Sequence, residues 1–211
     1  MGYGDPAVRD SRAISGIVLA GGRATRMGVD KATVVVGGIP LLQRTVELLR
    51  KVADDLIVVT RDQTGRLGDA RIISDEVTDR GPLGGLLTGL RTVGHPSALV
   101  IPVDMPLLTV DLLRYLIPAS AGWEITVPRW AGGIEPLVGV YSSACTDPLE
   151  RFITRPNPSA RDFVRSRDFT VRYIDEFEVR QFGDPAHLFF NVNTQEDVRA
   201  VEAMMGNRPM P

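Results

Sequence analysis

The chain has 211 residues, 44% of them hydrophobic and 24% charged, with a formal net charge of −2; this suits one α/β domain that buries a full core and excludes a disordered protein. Lysine and arginine are scattered and the pI is about 5.7, which excludes the long basic footprint of a nucleic-acid partner. No stretch approaches the roughly 20 apolar residues of a membrane span, and Cys145, the single cysteine, rules out an internal disulfide.

In chain order, residues 1–12 carry Asp5, Arg9, Asp10 and Arg12 where a signal peptide would be apolar, and they read as a flexible tail. Residues 14–19 are a continuous apolar run and predict a strand, followed by a glycine loop to Lys31. Helices are expected at 40–52, with Pro40 at a first-turn position, and at 82–93, 109–117, 143–153, 159–166 and 194–205. Thr109, Ser159 and the Asn193-Thr194 pair stand where an N-cap oxygen would accept a free backbone N–H. Further strands are expected at 56–60, 71–73, 98–103, 125–127 and 137–141, while 187–193 reads as an extended piece. The alternation is a βαβ pattern. Strands 14–19 and 98–103, apolar almost throughout, belong in the centre of a parallel sheet covered on both faces, and ligands of such sheets bind at the carboxyl ends of the strands. A single domain over 13–206 with a short C-terminal tail at 207–211 accounts for the whole chain.

Four segments carry chemistry. In the first, Leu19-Ala20-Gly21-Gly22-Arg23-Ala24-Thr25-Arg26-Met27-Gly28-Val29-Asp30-Lys31, glycines let backbone N–H groups approach a ligand while Arg23, Arg26 and Lys31 can neutralise phosphate charge. The spacing is neither that of a P-loop nor that of a dinucleotide fingerprint. A nucleoside triphosphate is the natural ligand. In the second, Asp104 stands just past an apolar strand between Pro102 and Pro106; an isolated carboxylate there is costly, which points to a bound Mg²⁺ bridging it to phosphates, with helix capping as the alternative. In the third, Asp75 and the segment Gly81-Pro82-Leu83-Gly84-Gly85 open a helix whose small residues would let backbone touch a flat base; a solvated loop acid and close helix packing are the competing explanations. In the fourth, Asn191 and Asn193 would face alike in an extended chain and hold a polar ligand, although Asn193 also suits a helix cap. Glu135 before Pro136-Leu137 is a further candidate for the second substrate, against a plain surface acid. Trp123, Trp130 and Tyr141 are expected to pack, and Arg155, Arg161, Arg165 and Arg167 form a locally basic stretch. His95 and His187 stand apart, so there is neither a zinc cluster nor a Ser-His-Asp arrangement.

Leu19-Ala-Gly-Gly-x-x-x-Arg26-Met-Gly-x-Asp-Lys31, Gly81-Pro-Leu, Asp104-Met-Pro and Asn191-Val-Asn193-Thr-x-Glu-Asp together resemble the molybdenum cofactor guanylyltransferase family, or molybdopterin-guanine dinucleotide synthases, over about residues 14–200. The resemblance implies a Rossmann-like, three-layer nucleotidyltransferase fold with a mostly parallel sheet and helices on both faces. It further implies transfer of GMP from MgGTP to molybdopterin or Mo-molybdopterin, with molybdenum-insertion and molybdoenzyme-chaperone proteins as partners; the single cysteine, without a disulfide or zinc cluster, fits the cytoplasm. By this resemblance Leu19, Ala20, Gly21, Gly22, Arg23, Lys31, Asp75, Gly81, Pro82, Leu83 and Asp104 bind nucleotide. Arg26, Lys31 and Asp104 are catalytic, Asp104 ligates Mg²⁺, and Asn191, Asn193 and Glu135 face the acceptor. Ala24 departs from the serine common in the family. Related cytidylyltransferases tend to carry Leu-Ala-Ala-Gly and lack the Gly-Pro-Leu segment, so the chain resembles the guanine version; a CTP-using relative and a non-catalytic cofactor-delivery protein remain alternatives.

Overall fold

The computed structural model describes residues 13–21, 23–24, 29–77 and 79–206, the loop and strand residues 23, 24 and 29 through their backbone only. Strand β1, Ser15–Leu19, is buried along its whole length, as a run without polar alternation requires when helices cover both faces. A two-residue hairpin, β2 (Arg23–Ala24) with β3 (Val29–Asp30), follows, then a second, β4 (Val35–Val36) with β5 (Ile39–Pro40). Helix α1 (Leu41–Leu49) leads to β6 (Asp55–Thr60), β7 (Gly65–Leu67) and β8 (Ala70–Ser74); α2 (Pro82–Thr92) leads to β9 (Ser97–Pro102), and α3 (Val110–Ala119) to β10 (Ile125–Trp130). After β11 (Gly133–Ile134) and β12 (Gly139–Ser142) come α4 (Thr146–Phe152), α5 (Ala160–Arg165), β13 (Val171–Ile174), α6 (Glu176–Val179), α7 (Pro185–Leu188) and α8 (Gln195–Gly206).

The main sheet runs β11-β10-β12-β9-β1-β6-β8-β7, with β13 on β10. Its centre is parallel: Ile17 lies opposite Ile57 of β6 and Val100 of β9. Strands β7 and β12 run antiparallel to their neighbours. Alternate strand residues feed two cores. Val18, Val58, Leu99 and Ile101 pack with α1, α3 and α8, and Ile17, Ile57, Val59 and Val100 pack with α2, α4 and α5. Burying each such aliphatic side chain contributes about 1.5–3 kcal/mol. The chain moves outward from β1 through β6 to β8 and then returns to β9 on the other flank of β1, which places a topological switch point at the carboxyl edge beside β1.

Local rules account for the helix starts. Thr109 Oγ1 accepts from Leu112 N at 3.4 Å, and Ser159 Oγ from Asp162 N at 3.1 Å. Several expectations are corrected. Pro40 occupies the N-cap of α1, one position before its first turn. The helix expected over 143–153 divides into a 3-10 turn, Ser143–Cys145, and α4, because Pro148 has no N–H to give the Ala144 carbonyl and a single ladder cannot pass through. Residues 187 and 188 end a helix and are not extended; Asp184 caps it, accepting from Ala186 N, with Pro185 in the first turn. Strand β13 and helix α6 were not anticipated, although Asp175 and Glu178 form a reciprocal capping box at the start of α6. Trp123, expected to pack, is 44% exposed.

Candidate active site

The carboxyl ends of β1, β6, β8 and β9 open onto two adjoining hollows of about 190 and 540 Å³ that share Gly21, Asp75 and Gly81. Leu19, Val59, Pro102 and Val103, from the carboxyl ends of three central strands and the turn after β9, make an apolar floor in the smaller hollow. Arg61, Asp62 and Asp79 add polar walls to the larger. A long ligand with a flat apolar body and a charged tail matches a cleft so divided.

At the β9 end the Lys31 ammonium donates to Asp104 Oδ2 at 2.6 Å and to Asn193 Oδ1 at 2.6 Å. The lysine and aspartate side chains are 13% and 17% exposed. Lys31 begins a 3-10 turn capped by the Asp30 side chain, which accepts from Ala32 N. Asp104 stands in the turn two residues past the end of β9, and its carbonyl accepts from Val192 N at 2.9 Å, so the segment carrying the asparagines is pinned to that turn. Three parts of the chain therefore meet at one ammonium group. Asp104 is not the helix cap considered as an alternative; Thr109 is. Asn193 is not the cap of α8 either. That place falls to Thr194, whose Oγ1 accepts from Asp197 N at 3.1 Å.

Asp75 is no solvated acid. Its Oδ1 accepts from Val77 N at 2.9 Å and from the Thr88 hydroxyl at 2.8 Å, and its backbone N donates to Thr60 O at 2.7 Å. This holds the turn after β8 over the N-terminus of α2. Gly81 stands at φ 55°, ψ −142°, backbone that a side chain would strain, and so lets the chain swing from that turn into Pro82 at the helix start.

Of the other expected nucleotide residues, Leu19, Gly21 and Pro82 line the cleft. Ala20 and Leu83 do not: both side chains are buried in the core, and Ala20 N is already spent on Val59 O at 2.8 Å. Gly22 and Arg26 lie outside the described residues, and Arg23 enters through its backbone alone. Asn191 is exposed and lines the cleft, donating only a long 3.4 Å bond from Nδ2 to Phe189 O. Glu135 is neither a plain surface acid nor part of the cleft lining. Its Oε1 accepts from Trp130 Nε1 at 3.0 Å, and burial pushes its carboxyl above the usual range against the opposing effects of that bond and of Arg161. Trp130 in turn packs on Phe189, ring centroids 6.0 Å apart. Sequence reasoning passed over Arg61, Asp62, Asp79, Met105 and Leu137. Arg61 and Asp62 follow β6 just as Asp104 follows β9, and the same positional rule would have found them.

A mostly parallel sheet with a lysine–aspartate pair beside a divided cleft at its switch point is the frame of a nucleotidyltransferase. Residues 16–171 match the sequence profile of the MobA-like NTP transferase domain. A molybdenum cofactor guanylyltransferase from Syntrophotalea carbinolica is 32% identical over 186 residues, 87% of this chain and 88% of that protein. A protein from Natronomonas pharaonis, described as a probable molybdenum cofactor guanylyltransferase, is 42% identical over 75% of this chain and 87% of its own length. The crystal structure of molybdopterin-guanine dinucleotide biosynthesis protein A from Archaeoglobus fulgidus superposes with a TM-score of 0.78 at 26% identity, covering 92% of this chain and all of that one. A Mycobacterium tuberculosis protein solved as a manganese complex shares the fold, with a TM-score of 0.65 at 22% identity over 90% of this chain and 98% of that one. The chain belongs to the MobA-like NTP transferase family and, within it, to the molybdenum cofactor guanylyltransferases. Among the described residues no helix is long and apolar enough to cross a membrane.

Proposed function

We propose that the protein transfers GMP from MgGTP to the terminal phosphate of molybdopterin or Mo-molybdopterin, forming molybdopterin guanine dinucleotide and releasing pyrophosphate. The observation that carries this reading is the Lys31–Asp104 pair at the switch point, beside a cleft with an apolar floor. One oxygen of the acceptor phosphate forms a bond to the α-phosphorus of GTP as the bond from that phosphorus to the bridging oxygen breaks. No protein group needs to add or remove a proton, so positioning and charge neutralisation are the chemistry required.

Both reactants are anions. Lys31, together with Arg23 and Arg26 of the glycine loop, takes charge from the pyrophosphate leaving group, and Gly21 lets phosphate come close to the backbone. The nucleotide base would lie on the apolar floor of the smaller hollow against Gly81 and Pro82, with Asp75 at its edge. A divalent cation fits the donor set. Asp104 Oδ2 already meets a cationic group at 2.6 Å and is a hard oxygen donor of the kind Mg²⁺ selects. No three His, Cys, Asp or Glu side chains are grouped to hold a metal among the described residues, so Asp104 would share the ion with phosphate oxygens and water. When bound, the metal supplies charge neutralisation across the phosphates. Asn191, exposed at the far wall, is the acceptor contact we favour; Glu135 supports that side indirectly, by holding Trp130 against Phe189. The lone Cys145, buried with its thiol pushed up to about 12, suits a reducing compartment, and we place the reaction in the cytoplasm.

The deciding experiment incubates the protein with Mg²⁺, molybdopterin and each nucleoside triphosphate in turn, and identifies the dinucleotide by mass spectrometry. A guanine dinucleotide with stoichiometric pyrophosphate is expected. A cytosine dinucleotide, or nucleotide binding without pyrophosphate, would overturn the reading.

A further inference from the structure

We propose that Asn193 is a positioning residue for Lys31, aiming its ammonium into the nucleotide half of the cleft, and that it is not a ligand of the acceptor. The inference deepens the guanylyl-transfer reading above and rests on it.

The amide oxygen of Asn193 is spent. It takes a hydrogen bond from Lys31 Nζ at 2.6 Å, as short as the bond from Nζ to Asp104. A lysine is a point charge on a flexible four-carbon stem and aims at nothing unless something holds it. Here the holder is itself fixed. Asn193 N and Thr194 N both donate to Asp197 Oδ2 at 2.8 Å, and Asp197 N donates back to Thr194 Oγ1, a capping arrangement that ties Asn193 to the start of α8. One residue earlier, Val192 N bonds the carbonyl of Asp104. The two oxygens that cradle the ammonium are thus held in fixed relation by a backbone hydrogen bond between their own segments.

The chemistry of the pair suits a group that must later serve phosphate. With one carboxylate and one neutral amide the ammonium is held without excess negative charge, and an arriving triphosphate can draw it over. Two carboxylates would trap it. Asn191 stands in contrast: it is exposed, lines the cleft and has only a 3.4 Å bond from its Nδ2. The expectation that both asparagines face one ligand depended on an extended chain, and 190–193 has no strand pairing. The two amides therefore divide, one to the acceptor and one to the lysine.

The test uses an accident of composition. The chain has only two lysines, Lys31 and the exposed Lys51, so protein labelled with ¹⁵N-lysine gives two side-chain ammonium resonances, the second an internal reference. In the ligand-free protein the Lys31 ammonium is expected to exchange slowly with water and to resonate apart from Lys51. In Asn193→Ala it moves toward Lys51 and exchanges fast, while Asn193→Asp, which keeps an acceptor oxygen, retains slow exchange. In turnover assays Asn193→Ala lowers kcat and weakens nucleotide binding by about tenfold, the loss expected for one hydrogen bond to a charged group, with the KM for molybdopterin unchanged. An unaltered Lys31 resonance in Asn193→Ala overturns the proposal, and so does a raised molybdopterin KM with normal nucleotide affinity. If the wild-type protein makes no dinucleotide while Asn193→Ala still releases Lys31, the positioning role stands and the guanylyl-transfer reading alone falls.

Discussion

Helix α2 contains three glycines that the structure treats very differently, and replacing each with alanine grades the packing around the cleft. A Cβ on Gly84 would stand 2.3 Å from the carbonyl oxygen of Val77 and 3.1 Å from Asp75 Oδ2, where ordinary contact begins at 3.4 Å. The turn after β8 would have to retreat by about 1 Å, far up the repulsive wall, and it cannot do so while Asp75 keeps its bonds to Val77 N and Thr88 Oγ1. Overpacking of this kind costs about 1–3 kcal/mol, and improved helix propensity returns at most about 1 kcal/mol. For Gly89 the nearest atoms are the side-chain carbons of Ile17 at 2.9 and 3.0 Å, which a rotamer change can partly relieve; for Gly85 the nearest is Leu19 Cδ2 at 3.4 Å, ordinary contact. Thermal unfolding should therefore rank Gly85→Ala at or above wild type, Gly89→Ala below it, and Gly84→Ala lowest; a backbone clash this close takes the upper end of the cost, a net of about 2 kcal/mol, or about 4–8 °C at the 2–4 °C per kcal/mol expected of a chain this long. Gly84→Ala should also lose nucleotide affinity in a calorimetric titration, since Asp75 moves with the turn. A Gly84→Ala protein as stable as Gly85→Ala would refute the argument that the Val77 carbonyl is why position 84 is glycine.

Lys31→Ala and Asp104→Ala should each cut guanylyl transfer at least about a hundredfold, the scale for one lost charge-stabilising contact, measured as pyrophosphate release with circular dichroism confirming the fold. Asp55, at the opposite edge of the sheet, is pushed up by burial, but Gly94 N, Arg71 and Ser15 together hold its carboxyl below the ordinary value of 3.8. Its contribution is thus present above pH 3.8 and lost as pH falls through the lower folded value. Asp55→Ala should destabilise the protein by about 1.5–3 kcal/mol at pH 7, as loss of hydrogen bonds to a charged group predicts, in denaturant unfolding. Glu135 has the reverse sign, because burial raises its carboxyl above 4.5, so its stabilisation is complete below that pH and declines as pH rises through the folded value. Glu135→Gln, which keeps an oxygen for Trp130 Nε1, should be more stable than wild type at pH 7 and should flatten the pH dependence of stability. Unfolding curves of the two proteins that stay parallel from pH 4 to pH 7 would contradict this.

The fold was legible wherever burial leaves a periodic mark. Strands β1 and β9 are buried on both faces and show it as unbroken apolar runs. Thr109 and Ser159 start α3 and α5 by local hydrogen bonds that need no knowledge of the rest of the chain. What escaped notice is short or edge-bound. The two-residue strands of the loop hairpin carry too few positions for any period. Strand β13, paired with β10, has three half-buried residues in a row before the buried Ile174, a pattern without alternation that reads equally well as loop. The capping box of α6 and the Asp184-Pro185 start of α7 were written in the sequence, but each opens a helix of four residues, too short for the apolar stripe that usually draws attention to a cap.

The site was legible residue by residue and not as a junction. Lys31, Asp75 and Asp104 each stand out because charge placed just past a buried strand or a glycine turn is costly without a partner. The sequence view supplied a metal as that partner for Asp104. In the folded chain the first partner is Lys31, 73 positions away, and the second oxygen on that ammonium comes from a residue 162 positions from the lysine. No local signal carries such a pairing, because it depends on β1 and β9 being neighbours and on Val192 reaching the Asp104 carbonyl. The same junction changes how the carboxylate should be understood. If Asp104 takes a metal as proposed, it would give up its ion pair with Lys31, and the lysine released would be available to the departing pyrophosphate. On the proposed reaction the carboxylate would thus exchange one neutralising partner for another, and a positive charge would be freed beside the phosphates, where negative charge develops.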